Sequence, residues 1–346
     1  MSNFKKLMMA SSGAKEQFLA VTHWTTSPNI TVYPWSSAGF GTKFSNPSPV
    51  PTRAKKCNFS PAGDAIAVAS LYTSPYVHAY AWSSSGFGSK YSNPSSLPSF
   101  SGSDVAFSSS GSYIAVATES TPRIQVYDWS SGGGFGSKYS NPSPVPAFDA
   151  FGCEFSPDET AIAVAHNGGV KVSVYAWSGS GFGAKFSDPS TAPVGVGYDI
   201  TFTSAGDYIS VAHGSSPYVS AYPWSGSGFG TKISNPATLP AGRGNSVAFS
   251  PSGDALAVAH NTSPYVSVYP WSGSGFGTKF SNPATLPTGQ GQHVAFNPTG
   301  DALAVAHTTS PYISVYPWSG SGFGTKFSNP ATLPAANCTG CAFGEL

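Results

Sequence analysis

Residues 246–283 have the sequence SVAFSPSGDALAVAHNTSPYVSVYPWSGSGFGTKFSNP, and this stretch decides the fold. It contains four short segments rich in β-formers, separated by turns of Pro, Ser, Gly, Asp and Asn. The second segment, ALAVAH, alternates small and large side chains, as a strand does. No segment of about ten residues lacks Gly and Pro and shows a helical period. The stretch therefore predicts four antiparallel strands, called A, B, C and D in chain order.

The same stretch recurs seven times along the 346-residue chain. A tryptophan at the end of strand C recurs every 47 or 48 residues, and a phenylalanine and a lysine recur in phase with it. The tryptophans of this series are Trp35, Trp82, Trp129, Trp177, Trp224, Trp271 and Trp318. A repeat of this length with four strands is typical of a propeller blade. The sequence predicts an all-β fold, a single seven-bladed β-propeller domain over residues 1–346.

The two ends of the chain divide one blade between them. Residues 15–46 supply only strands B, C and D of the first repeat, while Cys341 to Phe343 aligns with strand A of the others. We therefore expect the C-terminal strand to join the N-terminal blade, which closes the ring and removes a free sheet edge. The alternative is that Lys6 to Met9 supplies this strand.

Composition excludes several classes of partner. Charged residues are 9% of the chain and the net charge is +1, so no clustered basic face is expected, and no nucleic-acid partner is predicted. No apolar run approaches the roughly 18 residues of a membrane span. The first ten residues hold too short an apolar patch for a signal peptide.

The segment FSPSGDALAVAHNTSPYVSVYPW, residues 249–271, resembles the repeat of WD40-like and YVTN-type propellers. The resemblance covers all seven repeats and implies a propeller fold. Asp128-Trp129 has the two residues of the WD dipeptide in reverse order, so the hydrogen-bonded tetrad of WD40 blades does not carry over. The segment WSGSGFGTKFSNPATLP, residues 271–287, is similar to propeller repeats encoded by environmental bacteriophages, which implies a virion component.

Candidate contact residues lie at the ends of strand B and in the B–C loops. Histidine ends strand B in most repeats, where its ring either lines a ligand site or hydrogen-bonds a neighbour. The ligands of a metal ion must converge, and these positions lie on separate blades, which favours the hydrogen-bonding role. The D–A connections and B–C loops are expected to share one face, and loops on a rigid scaffold carry binding. The predicted binding residues are Trp24, Tyr72, His166, His213, His260 and His307.

No catalytic motif stands out. The repeats differ mostly by conservative exchanges, and we identify no pair of carboxylates suited to acid–base work, no metal site and no cofactor site. The four cysteines are interpreted as small buried hydrophobes. These observations favour a non-enzymatic structural or binding protein of a virion or extracellular surface, with protein partners. A lectin-like module that binds glycans is the alternative, and a propeller hydrolase or oxidoreductase is a third hypothesis.

Overall fold

The computed structural model describes residues 15–24 and 26–346, and within them every regular element is a strand. The strands are β1 (Gln17–His23), β2 (Ile30–Ser36), β3 (Gly39–Phe40), β4 (Ala54–Phe59), β5 (Ala65–Ser70), β6 (Val77–Ser83), β7 (Gly86–Lys90), β8 (Gly102–Phe107), β9 (Tyr113–Thr118), β10 (Ile124–Ser130), β11 (Gly134–Lys138), β12 (Ala150–Phe155), β13 (Ala161–His166), β14 (Val172–Ser178), β15 (Gly181–Lys185), β16 (Gly197–Phe202), β17 (Tyr208–His213), β18 (Val219–Pro223), β19 (Gly244–Phe249), β20 (Ala255–His260), β21 (Val266–Pro270), β22 (Gly291–Phe296), β23 (Ala302–His307), β24 (Ile313–Pro317) and β25 (Cys338–Glu345).

These strands form seven antiparallel sheets, one for each repeat, so the predicted seven-bladed propeller is confirmed. The first sheet has the order β25-β1-β2-β3, and β25 pairs with β1 in the register Leu19 to Phe343 and Val21 to Cys341. The expected closure of the ring by the C-terminal strand is therefore also confirmed. The alternative segment, Lys6 to Met9, lies outside the described residues.

Strand D is not equal in all blades. Three blades have a five-residue strand D, and three others reduce it to a single bridge, such as Trp271 with Phe276. The reduced blades carry proline directly before the repeated tryptophan, as at Pro270, where the long blades carry Ala81, Asp128 or Ala176. Proline has no N–H to give to the outer strand. The Pro270 carbonyl still accepts from Gly277 N at 2.8 Å.

Aromatic clusters hold neighbouring blades together. Trp177 packs edge-on against Phe182 of its own blade at 5.2 Å between ring centroids, and against Tyr139 and Phe155 at 5.0 and 5.6 Å. The equivalent tryptophans are all 4 to 5% exposed. Edge-to-face geometry suits the ring quadrupoles, and each cluster buries a large apolar area. The core is thus a ring of seven inter-blade clusters around a central channel.

Strand A lines this channel and carries a β-bulge in every blade. The pairing with strand B shifts register between Asp104 and Gly102, for example, and at the equivalent place in the six other sheets. A bulge re-aims the side chain of the extra residue. Two successive residues of strand A therefore reach the channel near its upper end. We call the face made by the D–A connections and B–C loops the upper face, and the face made by the A–B and C–D turns the lower face.

Candidate functional site

Backbone hydrogen bonds tie the two sets of predicted contact loops to each other. Leu71 N donates to Arg53 O, and Asn261 N donates to Arg243 O, at 3.1 and 3.2 Å. Each bond joins a B–C loop to the D–A connection beside it. The loops expected to share one face do lie together on the upper face, around the channel mouth.

The four predicted histidines lie in the interior. Their side chains are at most 2% exposed, and each Nε2 meets a serine hydroxyl of strand C, as in His213 with Ser220 at 2.9 Å. Burial lowers the pKa of His213 to about 4, so the ring is neutral at pH 7. The structure therefore places these rings in hydrogen-bonded pairs between strands. Their role in binding stays a prediction, and His166, His260 and His307 share this placement.

Trp24 and Tyr72, the other two predicted contact residues, lie together on the upper face. Their ring centroids are 6.4 Å apart, and Tyr72 is 50% exposed. The Lys55 ammonium lies 5.6 Å from the Trp24 ring centroid, within cation–π range. The two residues from separate blades thus form one aromatic edge beside a cation at the mouth of the channel.

The middle of the channel holds a buried ion cluster that the sequence analysis missed. Lys56 Nζ lies 2.6 Å from an Asp199 carboxylate oxygen and 3.0 Å from an Asp104 oxygen, although the three residues come from three blades. Burial lowers the pKa of Lys56, but the two carboxylates outweigh it and raise this pKa above its usual value. No pair of carboxylates suited to acid–base work was identified from the sequence, and these three residues were not singled out there.

The signal for this cluster was a single column of the repeat. The residue three before the strand A phenylalanine faces the channel, and it changes type from blade to blade: Lys56, Asp104, Gly152, Asp199, Ser246, His293 and Gly340. The next position along strand A holds the apolar residues that pack between blades, such as Val247 and Val294. That position was considered in the sequence analysis, and the variable one beside it was not. A position whose charge and polarity vary among otherwise similar repeats is a candidate for a functional role in the channel.

His293 extends the cluster on one side. Its Nε2 lies 4.0 Å from Asp199 Oδ2, and its Nδ1 accepts the Cys341 N–H at 3.4 Å. Burial lowers the pKa of His293 to about 4, although Asp199 acts in the opposite direction. With Lys56, Asp104 and Asp199, this neutral imidazole forms a polar layer that divides the channel into an upper and a lower chamber.

Above this layer, charged and aromatic side chains converge on the upper chamber. Its cavities of about 140 and 420 Å³ share four lining residues, so they are parts of one space. The bulge residues Tyr198 and Gln292 line it from strand A, and Glu119 and Arg243 reach it from the loops. The remaining lining includes Trp24, Lys55, Leu71, Phe151, Asn245, Thr308, Asn337, Cys338 and Thr339.

The polar groups of this chamber are held in place by their neighbours. The Arg243 guanidinium lies 4.9 Å from the Tyr198 ring centroid, and its Nε donates to Asn245 Oδ1 at 2.9 Å. A Glu119 carboxylate oxygen accepts the Ser103 hydroxyl at 3.3 Å. In the part of the chain that the structure describes, the Lys55 ammonium has no hydrogen-bond or ion-pair partner. An ammonium and part of a guanidinium are therefore left to face the cavity.

Charge and burial tune two of these groups in opposite directions. Burial raises the pKa of the Glu119 carboxyl. Burial also lowers the pKa of Lys55, and the nearby cations Lys56 and Arg243 lower it further. Burial thus favours the neutral form of both groups, and both line the same cavity.

No metal centre was found among residues 15–24 and 26–346: no cluster of His, Cys, Asp and Glu side chains there could hold an ion. The four cysteines are buried and unpaired. Burial raises the pKa of the Cys341 thiol to about 12, which keeps it protonated and inert at neutral pH. Among the described residues there is also no helix that could span a membrane.

The fold and this chamber define a class, a seven-bladed β-propeller with an asymmetric polar site at the mouth of its channel. No family model matches the sequence, and no curated protein matches it either. Solved structures do match the fold. A provisionally named 6-phosphogluconolactonase from Bacteroides fragilis superposes with a TM-score of 0.75 over 96% of this chain and 99% of its own, at 15% identity.

Two further neighbours carry related names. A provisionally named 6-phosphogluconolactonase from Bacteroides uniformis gives a TM-score of 0.73 at 16% identity, over 96% of this chain and 100% of its own. The periplasmic gluconolactonase of Pseudomonas aeruginosa gives 0.72 at 16% identity, over 95% and 99%. At such identities the likeness shows the fold.

These names correct the interpretation drawn from the sequence. A non-enzymatic virion or surface-binding propeller was expected, and the lactonase names of these neighbours contradict that expectation. The expectation failed because it took the evenness of the repeats as evidence against an active site. The uneven positions lie in strand A and in the loops above it, where a short segment of each repeat can diverge without disturbing the blade.

Proposed function

We propose that the chain is a hydrolase that opens a lactone, the internal ester of a sugar acid, in the upper chamber. The observation that carries the proposal is the convergence of Glu119, Lys55 and Arg243 on one cavity at the channel mouth. The names of the structural neighbours agree with this class of reaction. A lactone ring of six atoms with its hydroxyl groups suits a small chamber with an aromatic edge and several polar groups.

The chemistry follows from the charges. The Glu119 carboxylate removes a proton from a water molecule, whose oxygen attacks the ester carbonyl carbon. Lys55 and Arg243 stabilise the negative charge that develops on the carbonyl oxygen, since preorganised donors act most strongly where charge develops. The ring C–O bond then breaks, the ring oxygen takes the proton that Glu119 removed from water, and an open-chain hydroxy acid results. Trp24 supplies an apolar face for the sugar ring.

The test is lactone hydrolysis by the purified chain, measured as acid release in a pH-stat. Glucono-δ-lactone and its 6-phosphate are the two probes. We expect Glu119→Gln to lower kcat/KM by about 10²- to 10⁴-fold, because it removes the base and keeps the shape. Glu159→Gln is the matched control, since Glu159 accepts from Ser109 and Ser110 on the lower face.

Two results would contradict the proposal. One is a folded wild-type chain that hydrolyses neither lactone faster than buffer. The other is a Glu119→Gln variant that retains full activity while a variant of another chamber loses it. Lys55→Met distinguishes binding from catalysis, because loss of a transition-state contact lowers kcat and kcat/KM together.

The chain's organisation is proposed on separate grounds. We propose that residues 1–346 form one propeller domain, because the seven sheets account for residues 17–345. A common origin of its repeats with WD40-like and YVTN-type repeats is a proposal that rests on the FSPSGD turn and the VSVY strand. Protein partners and glycans stay predictions, and the exposed Tyr72 on the upper face is where we expect such a contact.

A further inference from the structure

The lower chamber is a second cavity that the proposed hydrolase does not use. It has a volume of about 490 Å³ and opens between the A–B turns, and Pro61, Ser109 and Pro157 lie at its mouth. The layer of Lys56, Asp104, Asp199 and His293 forms its roof. A cavity of this size can hold a small organic molecule.

The wall of this chamber is made mostly of small side chains and contains one carboxyl. The residue before the strand A phenylalanine faces the cavity in each blade, and four of these seven residues are alanine: Ala106, Ala248, Ala295 and Ala342. The other three are Asn58, Glu154 and Thr201. Glu154 Oε2 accepts the Phe202 N–H at 3.0 Å. The small side chains create the space, and the carboxyl is the one charged group in its wall.

The surroundings of the lower chamber are negative. The roof contains two carboxylates and one ammonium, so it does not balance the charge of Glu154. Acidic residues recur in the A–B turns of the lower face: Asp64, Asp158, Glu159, Asp207, Asp254 and Asp301. Among the residues that the structure describes, the cation at this face is Lys15, and its ammonium is paired with Glu345 at 2.6 Å. A cleft of one sign with low-dielectric walls concentrates ions of the opposite sign.

Basic residues occupy the opposite side of the disk. Arg53, Lys55, Arg123 and Arg243 lie in or beside the D–A connections and B–C loops, and Lys171 ends another B–C loop. The overall charge of +1 therefore hides two faces of opposite sign. An anion is drawn to the upper chamber and a cation to the lower one, so the two chambers select different ligands.

From this geometry we propose that the lower chamber binds a small organic cation, an amine or quaternary ammonium compound, with Glu154 as its counter-ion. Phe59 and Phe249, behind the alanines, supply apolar surface for the carbon atoms of such a molecule. The site is independent of the upper chamber, because the polar layer separates the two.

The pH dependence of binding follows from the groups that face Glu154. Burial raises its pKa to about 8, the Phe202 N–H and Thr201 hydroxyl act against this, and Asp104 and Asp199 raise it further. Lys56 and His293 lie in the roof above it. Below pH 8 the carboxyl holds a proton that a bound cation must displace. We therefore expect the affinity for a cation to rise between pH 7 and pH 9.

Isothermal titration calorimetry of the full chain with putrescine and with tetramethylammonium tests the proposal, and acetate and glycerol serve as anionic and neutral probes. We expect the cations alone to bind, and Glu154→Gln and Ala295→Leu each to weaken binding by about tenfold or more. Ala295→Leu fills the cavity without changing its charge. Glu159→Gln on the lower rim and Glu119→Gln in the upper chamber should bind as the wild type does.

Two results would overturn the proposal. The first is a folded wild-type chain that gives no heat with either cation at about 10 mM, since the dissociation constant would then lie above the millimolar range. The second is cation binding that both cavity variants retain, which would place it on the acidic rim. Lactone hydrolysis fails or succeeds independently, because its probes and its variants belong to the other chamber.

Discussion

At the residue scale, the last residue of strand B faces a polar residue of strand C, and the residue types at these two positions vary among the blades. Where strand B ends in histidine, strand C supplies a hydroxyl, as in His260 with Ser267 at 3.1 Å. In the second blade the types are reversed, with Ser70 on strand B and His78 on strand C. In the third blade the pair is Thr118 and Gln125. The two positions are polar and buried in every blade. The hydrogen bond between them is not kept in the second blade, where Ser70 Oγ and both ring nitrogens of His78 have no partner among the described residues.

Acid should destabilise this fold through its buried histidines. Burial is the main reason that the pKa of each of the seven is lowered from 6.5 to about 4. The unfolded chain therefore binds more protons than the folded chain between these values. Stability is complete above pH 6.5 and is lost as the pH falls toward 4. Each histidine contributes a slope of at most about 1.4 kcal/mol per pH unit in this window.

Denaturant unfolding of wild type and His213→Thr at pH 7, 6 and 5 measures this contribution. Threonine occupies the equivalent position at Thr118, so the variant keeps a side chain that the fold accepts. We expect it to lose less stability on acidification than the wild type, whatever its stability at pH 7. Thr118→Ser is the control, because it changes the same position without a titratable group. An unchanged slope in His213→Thr would show that the buried imidazole does not cause the acid sensitivity.

At the element scale, proline decides how far strand D extends. The blades with Pro223, Pro270 or Pro317 have one bridge between strands C and D, whereas the blade with Ala81 has strand β7 of five residues. The flanking sequences are nearly identical, so we attribute the difference to the N–H that proline lacks, because the hydrogen-bond ladder between strands C and D depends on it. The outer strand was correctly expected in each repeat, but its regularity depends on this single position.

Exchanging the two residue types should exchange the two strand geometries. We expect Pro270→Ala to lengthen strand D of the sixth blade, and the amide that this substitution introduces to be protected from hydrogen exchange. Ala81→Pro should shorten β7 by removing the amide of residue 81, and we expect that amide to be protected from exchange in the wild type. Protection factors from NMR measure both changes. If the introduced amide exchanges at the rate of an exposed loop, proline is not the cause.

At the scale of the whole molecule, the ring depends on its last strand. β25 covers the edge of β1, and Cys338, Cys341 and Phe343 belong to the cluster that joins the first and seventh blades. Without β25 the inner edge of β1 has no partner, and this cluster is exposed. Closure therefore connects residues at opposite ends of the chain, and it is the contact of longest range in the fold.

Removal of residues 338–346 should abolish the monomeric cooperative fold. We expect the shortened chain to aggregate, or to unfold at a temperature well below that of the wild type, as measured by gel filtration and calorimetry. Cys341→Val is the control, because Val247 and Val294 occupy the same position in other blades. A truncated chain that stays monomeric with an unchanged Tm would contradict this view of closure.

The sequence by itself determined the blade, the number of blades and the closing strand, because strand alternation and turn residues act locally and the repeat displays them seven times. It also located the upper face and the pair Trp24 and Tyr72. Only the tertiary structure decided which unlike residues meet in the channel. Lys56 and Asp199 are far apart in the sequence, and they form an ion pair because seven blades place their inner strands around one axis. The column of unlike residues marks a position in each repeat, but the sequence does not show which of these residues pair across the axis, so the two chambers and their charges became visible only in the closed ring.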